Sequence, residues 1–574
     1  MLFSSFIFIF AFLPLALLGF YTLRAMKCYS LAKVFLIGAS VFFYGYFKVE
    51  YIFILIFSML VNFSLAHFIL KATGGGKQYL IIGIIFNLSL LGFFKYTDFF
   101  LENFNLLSNL LNFDLNIPLP HILLPLALSF VTFQQIAFLI DCYKRIDISD
   151  MQEQGEQDSN IKQDSYTQAH KNNSHTIHFI DYALFISFFP QLIAGPIVHH
   201  KEMMPQFAAL KNTRALIHWE HMAKGIFIFS IGLFKKVFIA DSFAKWANAG
   251  FSVVESGGGL NIFESWATSL SYTFQLYFDF SGYCDMAIGL GLLFGIMLPI
   301  NFNSPYKSLN ISAFWRRWHM TLGRFLKEYV YIPLGGNKNT KYHSSKHYDF
   351  INKLLTLRNL FIIAFLSGIW HGAGWGFVIW GVLHGSAMCI HRIYTWSIKS
   401  IRGKIEISLS KDKVNVKDNK ASVSFNAASV ISTHISHKYK LIFLHCLDTK
   451  VYKFLCWFIT FNFINITWIF FRSENVSGAI NLLKGMFGIT WVELPLKAHR
   501  MPALLEHIGG RNDTLIYIIL AFVVCLGVGN AIKYMQNYDK NANLKCLFAI
   551  FLFTMSLLTM TFAERANEFL YFNF

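Results

Sequence analysis

The chain has 574 residues, of which 55% are hydrophobic, 18% aromatic and only 14% charged, with a formal net charge of +17. A water-soluble chain of this length needs more charge to cover its surface, so the composition excludes a soluble globular protein. The basic residues are spread through short loops between apolar runs, which fits loops facing a phospholipid membrane and argues against nucleic acid as a partner.

Apolar runs of about 20 residues recur along the chain and predict an all-α polytopic membrane protein, one integral membrane domain over 1–574. They fall near 3–23, 31–47, 51–70, 79–94, 121–140, 179–197, 222–240, 262–280, 283–300, 357–391 (two short pieces), 451–471, 513–531 and 543–562. The first has no basic residue ahead of it and no small-residue cleavage site, so it reads as a span rather than a secretory signal. Arg24, Lys27 and Lys33 follow it, which puts the N-terminus outside and the 24–33 loop in the cytoplasm. The eight cysteines show no metal-ligand spacing and read as unpaired packing residues.

Two polar insertions interrupt this pattern. Residues 144–178 are rich in Gln, Asn, Ser and Asp, and 392–440 hold ten Lys or Arg against three Asp or Glu. Both read as flexible loops, and His170, His175, His178, His434 and His437 within them as solvated side chains. Between them, 179–197 contains Pro190, Gly195 and Pro196, which would break a helix at membrane depth. Such a break is tolerated where protein surrounds it, so a re-entrant or broken segment is expected.

The run 269–285 (SLSYTFQLYFDFSGYCD) sets Asp279 and Asp285 among aromatics and hydrogen-bonding groups that include Tyr277. Buried carboxylates need partners, and pairing with a lysine or arginine is the commoner outcome. Residues 311–329 read as one amphipathic helix at the cytoplasmic interface, with Trp315 and His319 on one face and Arg317 and Arg324 on another. A membrane-surface role alone accounts for that pattern. In the functional reading, Arg316, Arg317, Arg324 and Lys327 attract a phosphate-bearing donor while His319 faces the core.

Residues 367–385 (SGIWHGAGWGFVIWGVLHG) place His371 and His384 among apolar residues and glycine. On one straight helix the two would sit about 20 Å apart, but Gly372, Gly374 and Gly376 argue for a break at His371. Basic residues flank both ends, so 357–391 is expected to be a hairpin dipping into the bilayer, with arms of about fifteen residues (~22 Å) and His371 near its apex. No nucleophile elbow, P-loop or metal motif occurs. Intramembrane histidine, hydrogen-bonding aromatics and a basic interfacial helix suit proton abstraction from a hydroxyl that then attacks an activated acyl group.

Four stretches, 185–203 (FISFFPQLIAGPIVHHKEM), 277–291 (YFDFSGYCDMAIGLG), 314–336 (FWRRWHMTLGRFLKEYVYIPLGG) and 369–385 (IWHGAGWGFVIWGVLHG), resemble the membrane-bound O-acyltransferase family. Within it the chain resembles the bacterial branch that O-acetylates alginate and peptidoglycan, as does the terminal FLYFNF at 569–574. The resemblance implies a ring of about 11 to 13 transmembrane or re-entrant helices around a central cavity, in the inner membrane with the N-terminus in the periplasm. It also implies His371 as the catalytic histidine and His319 as a second one. His384, Trp370, Trp315, Asp279 and Tyr277 become supporting or cavity residues. The implied donor is cytoplasmic acetyl-CoA, with no bound cofactor or metal, and the implied acceptor is a polysaccharide, reached through a periplasmic or membrane-anchored acetyltransferase partner. The rivals are a transporter or flippase that moves an acyl carrier or polysaccharide without making a bond, and a membrane glycosyltransferase. Against the latter, the first outer loop is short and lacks an acidic pair.

Overall fold

Lipid offers the backbone no partners, which favours helices, and the structure, a computed structural model, is built of helices with no strand among its described residues. These are 1–72, 75–113, 115–144, 177–211, 215–339, 342, 346–418, 445–490, 492, 504–510, 512–562 and 569–570. Expectations for His170, His175, His434, His437 and the terminal 571–574 lie outside them.

The N-terminal bundle comprises α1 (Leu13–Ala25, entered through a π turn at Phe8–Phe12), α2 (Tyr29–Gly45), α3 (Glu50–Lys71), α4 (Lys77–Leu110) and α5 (Leu128–Lys144). With 34 residues, α4 runs well past the apolar window that marked it. A polar knot ties α3, α4 and α5. Asn62 Nδ2 donates to Asn87 Oδ1 and Gln135 Oε1, and Asn87 Nδ2 donates back to Asn62 Oδ1 at 2.6 Å. Side-chain amides hold apolar helices together where hydrophobic attraction between them is weak.

The segment after the first insertion is broken, as its prolines and glycine suggested. α6 (Phe179–Ser187) stops at Phe188, α7 (Phe189–Leu192) is a single turn, and irregular backbone leads to α8 (His200–Ala209). The break itself, with everything from 182 to 200, is buried in protein.

The centre is α11 (Ile262–Leu293), 32 residues buried along almost their entire length. The predicted segment 262–280 and the first part of 283–300, as far as Leu293, are therefore one helix, with Ser281 and Gly282 between them buried against a neighbour rather than facing lipid. Asn261 and Glu264 start α11 with a reciprocal capping box. Its partner is α9 (Trp219–Phe234), continued through a π turn at Lys235–Ala240 into α10 (Asp241–Glu255). A Cβ on Gly232 would lie 2.5 Å from the Gly282 carbonyl, and one on Gly282 would lie 2.7 Å from that of Gly232, so the backbones touch. The π turn directs two lysines at α11: Lys235 Nζ is 2.6 Å from Asp285, and Lys236 Nζ is 2.6 Å from Asp279 and 3.0 Å from Asp241.

The region read as one amphipathic helix is two short ones, α12 (Ile311–Trp315) and α13 (Met320–Leu326, running into a π turn at Lys327–Tyr331). They are split because His319 adopts a left-handed backbone. α14 (Tyr348–His371) and α15 (Trp375–Asp418) form the expected hairpin with different arms. α14 has 24 residues and by length and composition could cross a membrane, so the expected arm length of about fifteen residues is too short. Likewise 392–418 continues α15 and is no flexible loop. The chain ends with α16 (Lys450–Arg472), α17 (Val476–Met486), α18 (Asn512–Gly527), α19 (Ala531–Gln536) and α20 (Ala542–Phe562).

Among the described residues six helical stretches have the length and composition of membrane spans: Phe8–Ala25, Glu50–Lys71, Lys77–Leu110, Tyr348–His371, Lys450–Arg472 and Ala542–Phe562. Their outer faces expose large apolar side chains such as Phe53, Phe57, Leu547 and Phe551, which lipid tolerates and water does not.

Because Lys236 neutralises the fully buried Asp279, Lys236→Met is expected to destabilise the protein by about 3–5 kcal/mol. Pairing it with Asp279→Asn should recover part of the loss, as read by melting temperature in detergent.

Candidate active site

Three histidines that the sequence singled out, His319, His371 and His384, meet in one buried aromatic layer, exposed by 1%, 3% and 0%. The ring centroids of His319 and His371 are 6.3 Å apart. Around His371 stand Trp370 at 4.8 Å, Phe471 at 5.1 Å and Trp380 at 5.5 Å. Phe280 of α11 meets the His319 ring edge-on at 4.9 Å.

His371 is the last residue of α14, and the turn at 372–374 begins there. The glycines serve close approach. A Cβ on Gly372 would strike the Phe377 ring at 2.0 Å, and one on Gly376 would meet the Phe470 carbonyl at 2.3 Å. The start of α15 thus lies directly on α16.

His319 sits at φ +46°, ψ 52°, a conformation that costs a non-glycine residue roughly 1–2 kcal/mol. Bonds on both sides hold it there. Met320 N donates to Asn301 O at 3.0 Å, and Asn303 N donates to Arg317 O at 2.9 Å. Asn301 Oδ1 also accepts from Thr321 N at 3.2 Å and from Thr321 Oγ1 at 3.0 Å. A backbone N–H can only donate, so that atom is an acceptor, and His319 Nδ1, 3.1 Å from it, carries the proton. Neutral His319 therefore keeps its lone pair on Nε2.

The same reasoning gives His384 a different character. Trp315 Nε1 can only donate and lies 3.2 Å from His384 Nδ1, so Nδ1 accepts. The proton is on Nε2, which donates to Thr467 Oγ1 at 3.0 Å, and that hydroxyl donates onward to Ile464 O at 2.8 Å. With both nitrogens engaged, His384 fits a neutral structural post.

The remaining sequence candidates spread out. Trp370 stacks on Phe133 at 5.0 Å beside the histidines. Tyr277 is part of the aromatic packing around Trp318 and Tyr306 on the α11 side. Asp279 belongs to the Lys236 ion pair, and its Oδ2 accepts from Leu570 N near the chain end. Arg324 is held in a two-pronged pair with Glu202, one prong at 2.9 Å, while Arg316 and Lys327 are exposed and Arg317 is half-buried. Among the described residues no three His, Cys, Asp or Glu side chains are grouped to hold a metal ion. Nothing in the sequence singles out Asn301, Thr321 or Thr467, since single polar residues beside apolar runs carry no spacing signal.

Residues 109–402 match the profile described as MBOAT, membrane-bound O-acyltransferase family. The chain is 42% identical to a peptidoglycan O-acetyltransferase of Helicobacter pylori, across 100% of this chain and 98% of that protein. It is 33% identical to a probable alginate O-acetylase of Pseudomonas aeruginosa, across 91% of this chain and 81% of that one. A teichoic acid D-alanyltransferase of Bacillus subtilis is 29% identical over 38% of the chain and 52% of its own length.

Glutamine can accept from Trp315 and donate to Thr467 as His384 does. His384→Gln is expected to keep glycan O-acetylation within about threefold of wild type, an energetic change below about 1 kcal/mol, whereas His384→Leu should lower the melting temperature. Loss of activity in a well-folded His384→Gln would make the imidazole itself necessary.

Proposed function

The chain belongs to the membrane-bound O-acyltransferase family and is a multi-pass O-acyltransferase, and from that premise we propose that it moves an acetyl group from cytoplasmic acetyl-CoA to a hydroxyl of a cell-surface polysaccharide. Peptidoglycan is the first choice of acceptor, since a relative 42% identical over the whole chain is a peptidoglycan O-acetyltransferase, with an alginate-like polymer second. The transfer runs directly or through a periplasmic or membrane-anchored partner. The protein lies in the inner membrane with its N-terminus in the periplasm, a reading supported by Arg24, Lys27 and Lys33 just after α1.

The observation that carries the chemistry is the convergence of His371 and His319, delivered by separate helix breaks to rings 6.3 Å apart inside the protein. His371 takes the proton from the acceptor hydroxyl. The oxygen attacks the thioester carbonyl, the C–S bond breaks as the ester C–O bond forms, and the proton passes to the departing coenzyme A thiolate. His319, with Nδ1–H held by Asn301, presents Nε2 to orient the acceptor or relay the proton. His384 keeps Trp315 and the α15–α16 contact in place. Arg316, Arg317 and Lys327 steer the donor's phosphates, and Arg324 joins them when its pair with Glu202 opens.

General acid–base catalysis contributes roughly 10²–10⁴-fold. His371→Ala, produced at wild-type level in cells lacking the native protein, is expected to reduce alkali-labile acetate on the glycan by at least about a hundredfold. Near-normal acetate in that strain would remove His371 from the mechanism.

A further inference from the structure

One charged side chain of α4 reaches the turn that carries His371. Lys95 lies midway along α4, half-buried between Phe93–Phe94 and Phe99–Phe100 and one turn before Asp98, within a helix long and apolar enough to span the membrane. A cation there is costly and marks function more often than chance. Its ammonium donates to the Trp370 carbonyl at 2.5 Å and to the His371 carbonyl at 3.0 Å. The next residue continues the grip, with Tyr96 Oη donating to the Ile369 carbonyl at 2.6 Å. Two turns on, Asn103 Oδ1 accepts from Trp375 Nε1 at 3.0 Å, on the far side of the 372–374 turn. One face of α4 therefore holds both ends of the break that carries His371.

The carbonyls of 369–371 are the ones a helix leaves without partners at its C-terminus. A neutral hydroxyl or amide would satisfy them at less cost in lipid, as Tyr96 does for Ile369. A lysine adds a positive charge at the negative end of the α14 dipole and binds two successive carbonyls at once. That fixes the φ and ψ of the residue whose ring must meet His319. A misplacement of about 1 Å at a reacting group costs up to about a hundredfold in rate.

We propose that Lys95 is a positioning residue for acyl transfer, acting through the Trp370 and His371 carbonyls to hold the His371 ring against His319. The proposal rests on the reading of His371 as the proton acceptor. Sequence spacing hides it, because Lys95 lies far from His371 in the chain and outside every motif quoted for the family.

The test uses membrane vesicles carrying the full-length protein together with any partner, and initial rates of label transfer from radiolabelled acetyl-CoA to glycan. Lys95→Met, close in length and at home in lipid, is expected to lower the maximal rate by about tenfold or more. Its KM for acetyl-CoA should stay within about threefold and its melting temperature near wild type. Lys95→Arg, which keeps charge and donors, should recover most of the rate. A Lys95→Met rate within about twofold of wild type, or a loss that Arg does not relieve, would overturn the proposal. Should Lys95→Met fail to fold, Tyr96→Phe loosens the same turn by one bond. A drop of about threefold or more at constant KM supports the grip, and an unchanged rate overturns it. His371→Ala runs in parallel: full activity there would sink the reading of His371 itself, whereas an inactive His371→Ala beside an active Lys95→Met would sink this proposal alone.

Discussion

A backbone broken inside hydrocarbon must have its freed N–H and C=O groups bonded again by the protein, and the centre of this molecule is arranged around that requirement. Among the described residues, three breaks bear on the histidines. In the first, between α6 and α8, Phe189 N donates to Ser40 Oγ at 3.1 Å and Ile197 N to Thr321 Oγ1 at 3.0 Å. The second, at His319, is held by Asn301 and Asn303. The third, after His371, is held by Lys95 and Tyr96. Thr321 bonds to both the first and second breaks, so these two are fastened to each other. The second and third each present a histidine to the same space.

Three buried histidines in similar aromatic surroundings differ through their partners. His384 has a donor-only indole on one nitrogen and a threonine hydroxyl on the other, and protonation would set an N–H against an N–H. His319 has one nitrogen fixed as donor by an amide oxygen. His371 is bound through its backbone, with its ring among Trp370, Trp380 and Phe471. Burial alone would rank the three alike, and the partners of both His384 nitrogens mark it out as a structural post.

The helical class and most apolar runs were legible because long uncharged stretches have few alternatives in lipid. The break at 188–199 was legible from Pro190, Gly195 and Pro196, and the turn after His371 from its glycines. Less legible was anything set by contacts across the bundle. α11 reads as two segments, 262–280 and 283–300, while the contact between Gly282 and Gly232 that carries the helix through lies outside any sequence window. The 311–329 pattern reads as a straight helix because the left-handed turn at His319 depends on Asn301 and Asn303, from outside that window. The basic stretch after 392 reads as loop by composition although α15 carries on through it to Asp418. Lys95 reads as a stray charge, its meaning fixed by carbonyls of another helix.

The central claim is that His319 and His371 flank the reacting carbon, and a structure of the full-length protein with a non-cleavable thioether analogue of acetyl-CoA tests it most directly. The account predicts the acyl carbonyl within about 3–4 Å of one imidazole, with room for a hydroxyl beside the other. An analogue whose acyl end stops elsewhere, walled off from both rings by packed side chains, would contradict it.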